Sequence, residues 1–457
     1  MPGSPNTNRI ARTTKVGGLV AGQGAKLAGG RALDRLRSDD AKERAQIKRT
    51  GEIVEQIVIQ LGSMKGAAMK VGQVLSTVEL PGLDPESSER IQRRLAELRD
   101  SAPSVSFDKL EKLMVKEWGS PVKRVLSDID PESMAAASIG QVHRAVTTDG
   151  QAVAVKVQYP GIAEAVDADL RNLGLLMPLL GRLAPGLDTK ALAAELRERI
   201  SEELDYELEA SSQRRIARLW RNHPHVRIPG VDLERSTRRV LVTELHEGTR
   251  FDDLKTHPDA ERDRVAEIVH RFYYATAGEH GIALGDPHPG NWQVGEDGRV
   301  TMFDFGMLRT LPEGYLRREG PVLEATQRQD AAALHAAMRD LGYLAPGADV
   351  NAELLLAHMT VISAWLLGPQ PHRLSPEEQR AIGEELLALG PDWRAMIRQL
   401  SLPAEAVLLR RMADLLFVGF AQLRAAADWW ALAEELQLGR APRTTLGREH
   451  AAWRDRY

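Results

Sequence analysis

The chain has 457 residues, of which 27% are charged and 43% hydrophobic, and its formal net charge is −4. This composition excludes wholesale disorder and allows a sizeable core, and the near balance of charge excludes an overall drive toward nucleic acid. The absence of cysteine excludes disulfides, thiolate metal sites and a cysteine nucleophile.

The first 50 residues carry 11 Lys and Arg against 4 Asp and Glu, a local balance of +7 that leaves −11 over the remainder. Residues 1–50 are therefore expected to be a flexible basic leader, solvated or held against an anionic lipid surface. The Gly/Ala-rich stretch 16–30 follows Lys15 and includes Lys26, so it does not read as a secretory signal. Over 51–78 apolar residues recur at three and four (Ile53, Ile57, Leu61, Met64, Ala68), which predicts a helix that Pro81-Gly82 breaks. Asp84-Pro85-Glu86 then fits the start of a second helix to about Asp100. Residues 51–130 form the expected helical extension.

Strand composition appears at 141–147 and 152–158, with Thr148-Asp149-Gly150 as the hairpin between them. Helical texture follows from about 162 to 220, interrupted near Pro185-Gly186, and 238–245 reads as a buried strand. Residues 131–245 are expected to be a small lobe with a helical insert. A core of a second lobe, 246–345, should hold a helix at about 259–280, a loop at 285–291, and short strands at 291–295 and 299–303 split by Glu296-Asp297-Gly298. Residues 346–457 read as helical. Two apolar stretches there, 354–368 and 415–423, are shorter than the roughly 20 residues of a membrane span, so both are expected to be buried helices. Trp365, Trp429 and Trp430 are expected in the core rather than on a prenyl chain.

Phosphoryl transfer needs a carboxylate near the acceptor and oxygen ligands that hold Mg²⁺ against phosphate. Asp304-Phe305-Gly306 follows a short strand, and upstream the loop GDPHPGN supplies Asp286 and, five residues on, Asn291. Together these provide all three groups. Lys156 in VAVKV is placed on a strand with Val155 and Val157 on the opposite face, where it can pair phosphate. Its partner should be a helical glutamate, and EELDYELEA offers Glu203, Asp205 and Glu209 without deciding among them. The loop before Lys156 reads AAASIG at 135–140, a small-residue helix or turn that keeps one glycine, Gly140. His288 is expected to shape its loop.

MKVGQ (69–73), AAASIGQVHRA (135–145), VAVKVQYPG (153–161), ELDYELEA (203–210), DPHPGN (286–291) and DFG (304–306) occur in order. Together they resemble the UbiB/AarF family of atypical kinase-like proteins over about residues 55–345. The resemblance implies an α+β, protein-kinase-like bilobal fold with a helical N-terminal extension and a mostly helical C-terminal region. It implies that Lys70, Gly72 and Gln73 form a KxGQ motif lying over the substrate cleft and facing an ExD motif of Glu203 and Asp205, a regulatory set. It also implies that Glu209 pairs with Lys156, and that Ala135, Ala136, Ala137, Ser138 and Gly140 replace the glycine-rich loop. Asp286 matches the catalytic aspartate, and Asn291 and Asp304 match the metal ligands. ATP and Mg²⁺ are the implied cofactors, ATPase or phosphotransferase activity the implied reaction, and isoprenoid quinone biosynthesis or lipid homeostasis the implied setting. Two departures stand out. Leu284 occupies a position where the family often has His, and no Ala-Pro-Glu follows DFG.

Three functions follow as expectations. The first is an ATP-hydrolysing or phosphorylating enzyme. The alternative is a nucleotide-gated lipid- or partner-binding module with little turnover. GDPHPGN also resembles antibiotic phosphotransferases, but KxGQ and the alanine-rich tract speak against that group. Expected partners beyond ATP are an anionic membrane surface or isoprenoid lipid and quinone-biosynthesis proteins, without nucleic acid. A cytoplasmic or membrane-peripheral location with no transmembrane span is expected.

Overall fold

The computed structural model describes residues 105–137, 139–168, 170–171 and 204–456. The basic leader, the two helices expected over 51–100 and the interruption expected near Pro185 lie outside the described residues. The described residues divide into two units, one running to Ala210 and taking in Val231–Leu245, the other of Ser211–Gly230 with His246 onward. Residues 211–230 group with the second unit.

The first unit is built on an antiparallel sheet of order β1-β2-β3-β5, with β1 at Leu126–Ala136, β2 at Gly140–Thr147, β3 at Ala152–Gln158 and β5 at Val240–Glu244. The hairpin expected at Thr148–Gly150 joins β2 to β3, closed by the Gln151 amide donating to Thr147 Oγ1 at 2.9 Å. In β3 the valines alternate with less buried residues, so Val153, Val155 and Val157 enter the core with Val240 and Val242. The Phe107–Trp118 helix packs Leu110 and Met114 into the same core.

β1 differs from the helical texture expected through residue 130. Its sequence, LSDIDPESMAA, has neither alternation nor a continuous apolar run, and its pairing with β2 shifts register three times. Tertiary pairing overrides the local pattern there. Ser127 Oγ lies 3.1 and 3.0 Å from the Val146 and Thr147 carbonyls, and His143 Nδ1 donates to the Asp130 carbonyl at 2.8 Å.

The second unit is organised around the Asp259–His280 helix, which buries Val265, Ile268, Val269, Phe272 and Ala275. β6 (Ile282–Leu284) follows it and pairs antiparallel with β9 (Leu308–Thr310). The two strands expected near 291–295 and 299–303 are β7 (Trp292–Val294) and β8 (Val300–Met302), an antiparallel hairpin. β4 (Val226–Arg227) runs parallel to β8. The apolar stretches at 354–368 and 415–423 fall in the helices Ala352–Ile362, Ala364–Leu367 and Ala404–Leu423, whose Leu355, Leu366, Leu416 and Phe420 join the core. Among the described residues no helix is long and apolar enough to cross a membrane. Trp429 and Trp430 are buried, Trp429 stacks on Phe420 at 5.4 Å, and Trp365 meets its ring edge-on at 5.9 Å.

Candidate active site

In the first unit, the pleat of β3 turns Lys156 away from its flanking valines. Its Nζ donates to both carboxylate oxygens of Glu209, at 2.6 and 2.8 Å, and stands 4.9 Å over the Tyr206 ring. The side chains are 22% and 9% exposed, so the pair is sheltered without being sealed from solvent. Glu209 lies in the first turn of the Tyr206–Leu219 helix. Of the two described carboxylates left open by spacing, Asp205 and Glu209, it is Glu209 that the structure brings to Lys156.

Asp205 has a different surrounding. It precedes that helix and accepts the Glu207 and Leu208 amides at 3.0 and 3.4 Å, which is N-cap geometry, and its other oxygen lies 3.4 Å from Arg238 Nε. Glu203, Ser138 and the KxGQ residues Lys70, Gly72 and Gln73 lie outside the described residues. Ala135 and Ala136 end β1 as exposed residues and Ala137 follows, its amide donating to the Gly140 carbonyl at 2.8 Å. The tract expected as a small-residue helix or turn thus begins as the end of a strand at Ala135 and Ala136, because β2 recruits these alanines into its ladder. Gly140 is needed for close approach: a Cβ there would collide with the Val157 carbonyl and stand 2.9 Å from the Tyr206 hydroxyl.

In the second unit, the two short sheets gather the loop residues. The Gly285 amide donates to the Met307 carbonyl at 2.9 Å, tying the start of GDPHPGN to the segment after DFG. The Phe303 amide donates to the Asn291 carbonyl at 2.9 Å, so Asn291 and Asp304 emerge at the same end of the β7–β8 hairpin. Asn291 Nδ2 donates to the Asp286 carbonyl at 2.9 Å, spanning the loop. His288 shapes it as expected, with Nδ1 accepting the Gly290 amide at 3.0 Å. Asp304 Oδ1 accepts the Gly306 amide at 2.9 Å while Phe305 is buried, which anchors the DFG turn on either side.

Asp286, Asn291 and Asp304 are therefore brought together. With its nitrogen committed to Asp286, Asn291 presents Oδ1, and Asp304 adds a carboxylate. One amide oxygen and one carboxylate fit a Mg²⁺ ion whose remaining ligands come from phosphate and water. Burial first, and then the carboxylates of Asp286 and Asp304, push the phenol of Tyr273, on the Asp259–His280 helix, well above its ordinary value.

Sequence reasoning missed Tyr273, and it missed Arg411. Arg411 Nε donates to the Gly285 carbonyl at 3.0 Å across 126 positions of chain, and its Nη2 is 3.7 Å from Asp286 Oδ1. The available signal was weak: Arg410-Arg411 stands in a mostly apolar helix that also carries Glu405 and Asp414.

Residues 97–337 match the ABC1 atypical kinase-like domain, and the chain belongs to that family, the UbiB/AarF family of the motifs above. It is 29% identical to the Saccharomyces cerevisiae protein "Atypical kinase COQ8, mitochondrial" over 74% of this chain and 67% of that one. It is 32% identical to the Schizosaccharomyces pombe COQ8 over 68% of this chain but only 50% of the relative's length. Among solved structures, an Rv3197–erythromycin complex from Mycobacterium tuberculosis is similar with a TM-score of 0.63 and 29% identity, over 86% of this chain and 99% of that one. The α+β architecture is that of an atypical kinase-like protein.

Proposed function

We propose that the chain is an ATP-dependent phosphotransferase or ATPase of the atypical kinase-like type, acting in isoprenoid quinone biosynthesis or lipid homeostasis. The observation that carries this reading is the Lys156–Glu209 pair, a strand lysine held at 2.6 Å by a glutamate from a helix 53 residues later. Phosphoryl transfer is catalysed mainly by positioning and charge stabilisation, and a lysine steadied in this way presents a fixed positive charge to phosphate oxygens. Glu209 sets the direction of that charge. Asn291 and Asp304 would hold Mg²⁺, which when bound neutralises phosphate charge. Asp286, at the head of the same loop, orients the attacking hydroxyl or water. The Ala135–Gly140 segment, Ser138 included by sequence, takes the place of a glycine-rich loop, and Lys70, Gly72, Gln73, Glu203 and Asp205 regulate access. Isoprenoid lipids, anionic membrane surfaces and quinone-biosynthesis proteins are the partners in this reading, with the chain cytoplasmic or peripheral to a membrane.

The test is ADP release from ATP by the purified full chain, with Mg²⁺ or with EDTA, and with or without vesicles of anionic phospholipid. Release that stops on chelation supports the enzyme. A rate raised by the vesicles adds membrane contact to its control. Nucleotide binding without release under any of these conditions overturns the enzyme and leaves the nucleotide-gated binding module.

A further inference from the structure

The loop that carries Asp286 leaves β6 without a polar side chain behind it. Leu284 is buried at 3% exposure, and Gly285 has no side chain to offer. Its polar support comes from elsewhere in the second unit. Arg411, on the Ala404–Leu423 helix, donates from Nε to the Gly285 carbonyl at 3.0 Å and holds Nη2 at 3.7 Å from Asp286 Oδ1. The two charged side chains are 10% and 12% exposed, so the pair is largely withdrawn from water. One turn earlier on the helix, Leu408 packs so closely on Gly285 that a Cβ at 285 would overlap it. A single helical stretch thus supplies a packing stop, a backbone hydrogen bond and a charge to the same two residues. The planar guanidinium suits this task because its donors leave in fixed directions and can address a carbonyl and a carboxylate together, whereas an ammonium is a point charge on a flexible stem.

We propose that Arg411 is a positioning residue for the Asp286 loop, and that through it the Ala404–Leu423 helix becomes part of the active site. This rests on the phosphoryl-transfer reading and deepens it. It gives a task to a helix that begins well beyond the family-matched segment 97–337. Arg411 touches no reacting atom. It fixes the backbone from which Asp286 projects and the side on which that carboxylate lies.

The test compares the full-length wild type with Arg411→Ala, Arg411→Lys and Arg411→Gln. It reads the kcat and KM of Mg-ATP-dependent ADP release, and the amide hydrogen exchange of peptides covering 282–292. Arg411→Ala is expected to lower kcat on the order of 10²-fold, the cost of misplacing a reacting group by about an ångström, with KM little changed. Added guanidinium ion at millimolar concentration should restore part of the kcat of Arg411→Ala, and Arg411→Lys should recover less than half of it. The 285–291 amides should exchange at least about tenfold faster in Arg411→Ala while those of the Asp259–His280 helix keep their protection. Arg411→Gln replaces the alanine variant if that chain does not fold, and the same loop-specific loss is expected. Wild-type loop protection together with wild-type kcat in the alanine variant would overturn the proposal. So would a loss of protection spread evenly over the second unit with no rescue by guanidinium. If the wild type itself releases no ADP, the phosphoryl-transfer reading falls, and the loop exchange alone still decides whether Arg411 positions Asp286.

Discussion

Lys156 and Glu209 form a two-contact, charge-assisted pair in a sheltered place. Both carboxylate oxygens engage Nζ, at 2.6 and 2.8 Å, and the glutamate is 9% exposed. Removing one member of such a pair leaves the other partly desolvated and misdirected, which costs more than the pair contributes in net stability. Glu209→Gln is therefore expected to lower kcat/KM for Mg-ATP on the order of 10²-fold, in the range seen when one charge-stabilising group is lost. The helix content by circular dichroism should stay unchanged. An unaltered kcat/KM would separate the pair from nucleotide handling. Spacing alone could not single out Glu209, because a glutamate run on a helix most often faces solvent. The choice among Glu203, Asp205 and Glu209 depends on where the Tyr206–Leu219 helix starts, and Asp205 is occupied with capping that start.

At the scale of elements, the second unit's loops are placed by short strands and one long helix. β6 pairs with β9, β7 pairs with β8, and the Ala404–Leu423 helix lies against Gly285. Gly285→Ala should overpack this contact and destabilise the unit by about 1–3 kcal/mol. The urea midpoint reads the loss, and adding Leu408→Ala should recover part of it by making room. If the single variant is as stable as the wild type, the contact with Leu408 is looser than described.

Much of this level was legible in the sequence. β2, β3, β5, β7, β8 and the Asp259–His280 helix lie within a few residues of the segments read from composition and turns, because each has a local signal: valine-rich runs, Asp-Gly turns, apolar spacing. β1 was not legible, since its strand state comes from pairing with β2 and not from its own polar residues. Arg411 was not legible because its meaning depends on a contact 126 residues away. The loop DPHPGN was legible as chemistry, while the hydrogen bonds that assemble it, Asn291 to the Asp286 carbonyl and Phe303 to the Asn291 carbonyl, belong to the fold.

At the scale of the whole molecule, the C-terminal helix Thr445–Arg454 is fastened into the second unit by a buried histidine chain. His223 Nδ1 accepts the His225 and Val226 amides at 3.2 and 3.1 Å, so its proton sits on Nε2 and is donated to His450 Nδ1 at 3.1 Å. His450 Nε2 in turn donates to Glu279 at 3.2 Å. Trp220 and Trp453 stack at 5.6 Å beside this chain. Burial, followed by the neighbouring His450, His225 and Arg271, pushes His223 down to about 2. Unfolded, the same imidazole takes a proton near pH 6.5, so between those values the unfolded chain binds more protons and stability is lost as pH falls. Lowering the pH from 6.5 to 5 should remove roughly 2 kcal/mol through this one group. Urea unfolding followed by tryptophan fluorescence checks it, and His223→Gln should flatten the dependence by that amount. An equal slope in wild type and variant would show that His223 does not titrate on unfolding.

The assignment of Asp304 as a metal ligand in a working phosphoryl-transfer site is tested most directly by the initial rate of ADP release from Mg-ATP, measured side by side for wild type and Asp304→Asn. Asparagine keeps an oxygen to accept the Gly306 amide, so the DFG turn is expected to survive while the ligand charge is lost. Turnover in the wild type, with a fall of at least about 10²-fold in the variant at saturating Mg²⁺, is the expected result. Equal rates in the two proteins would contradict it.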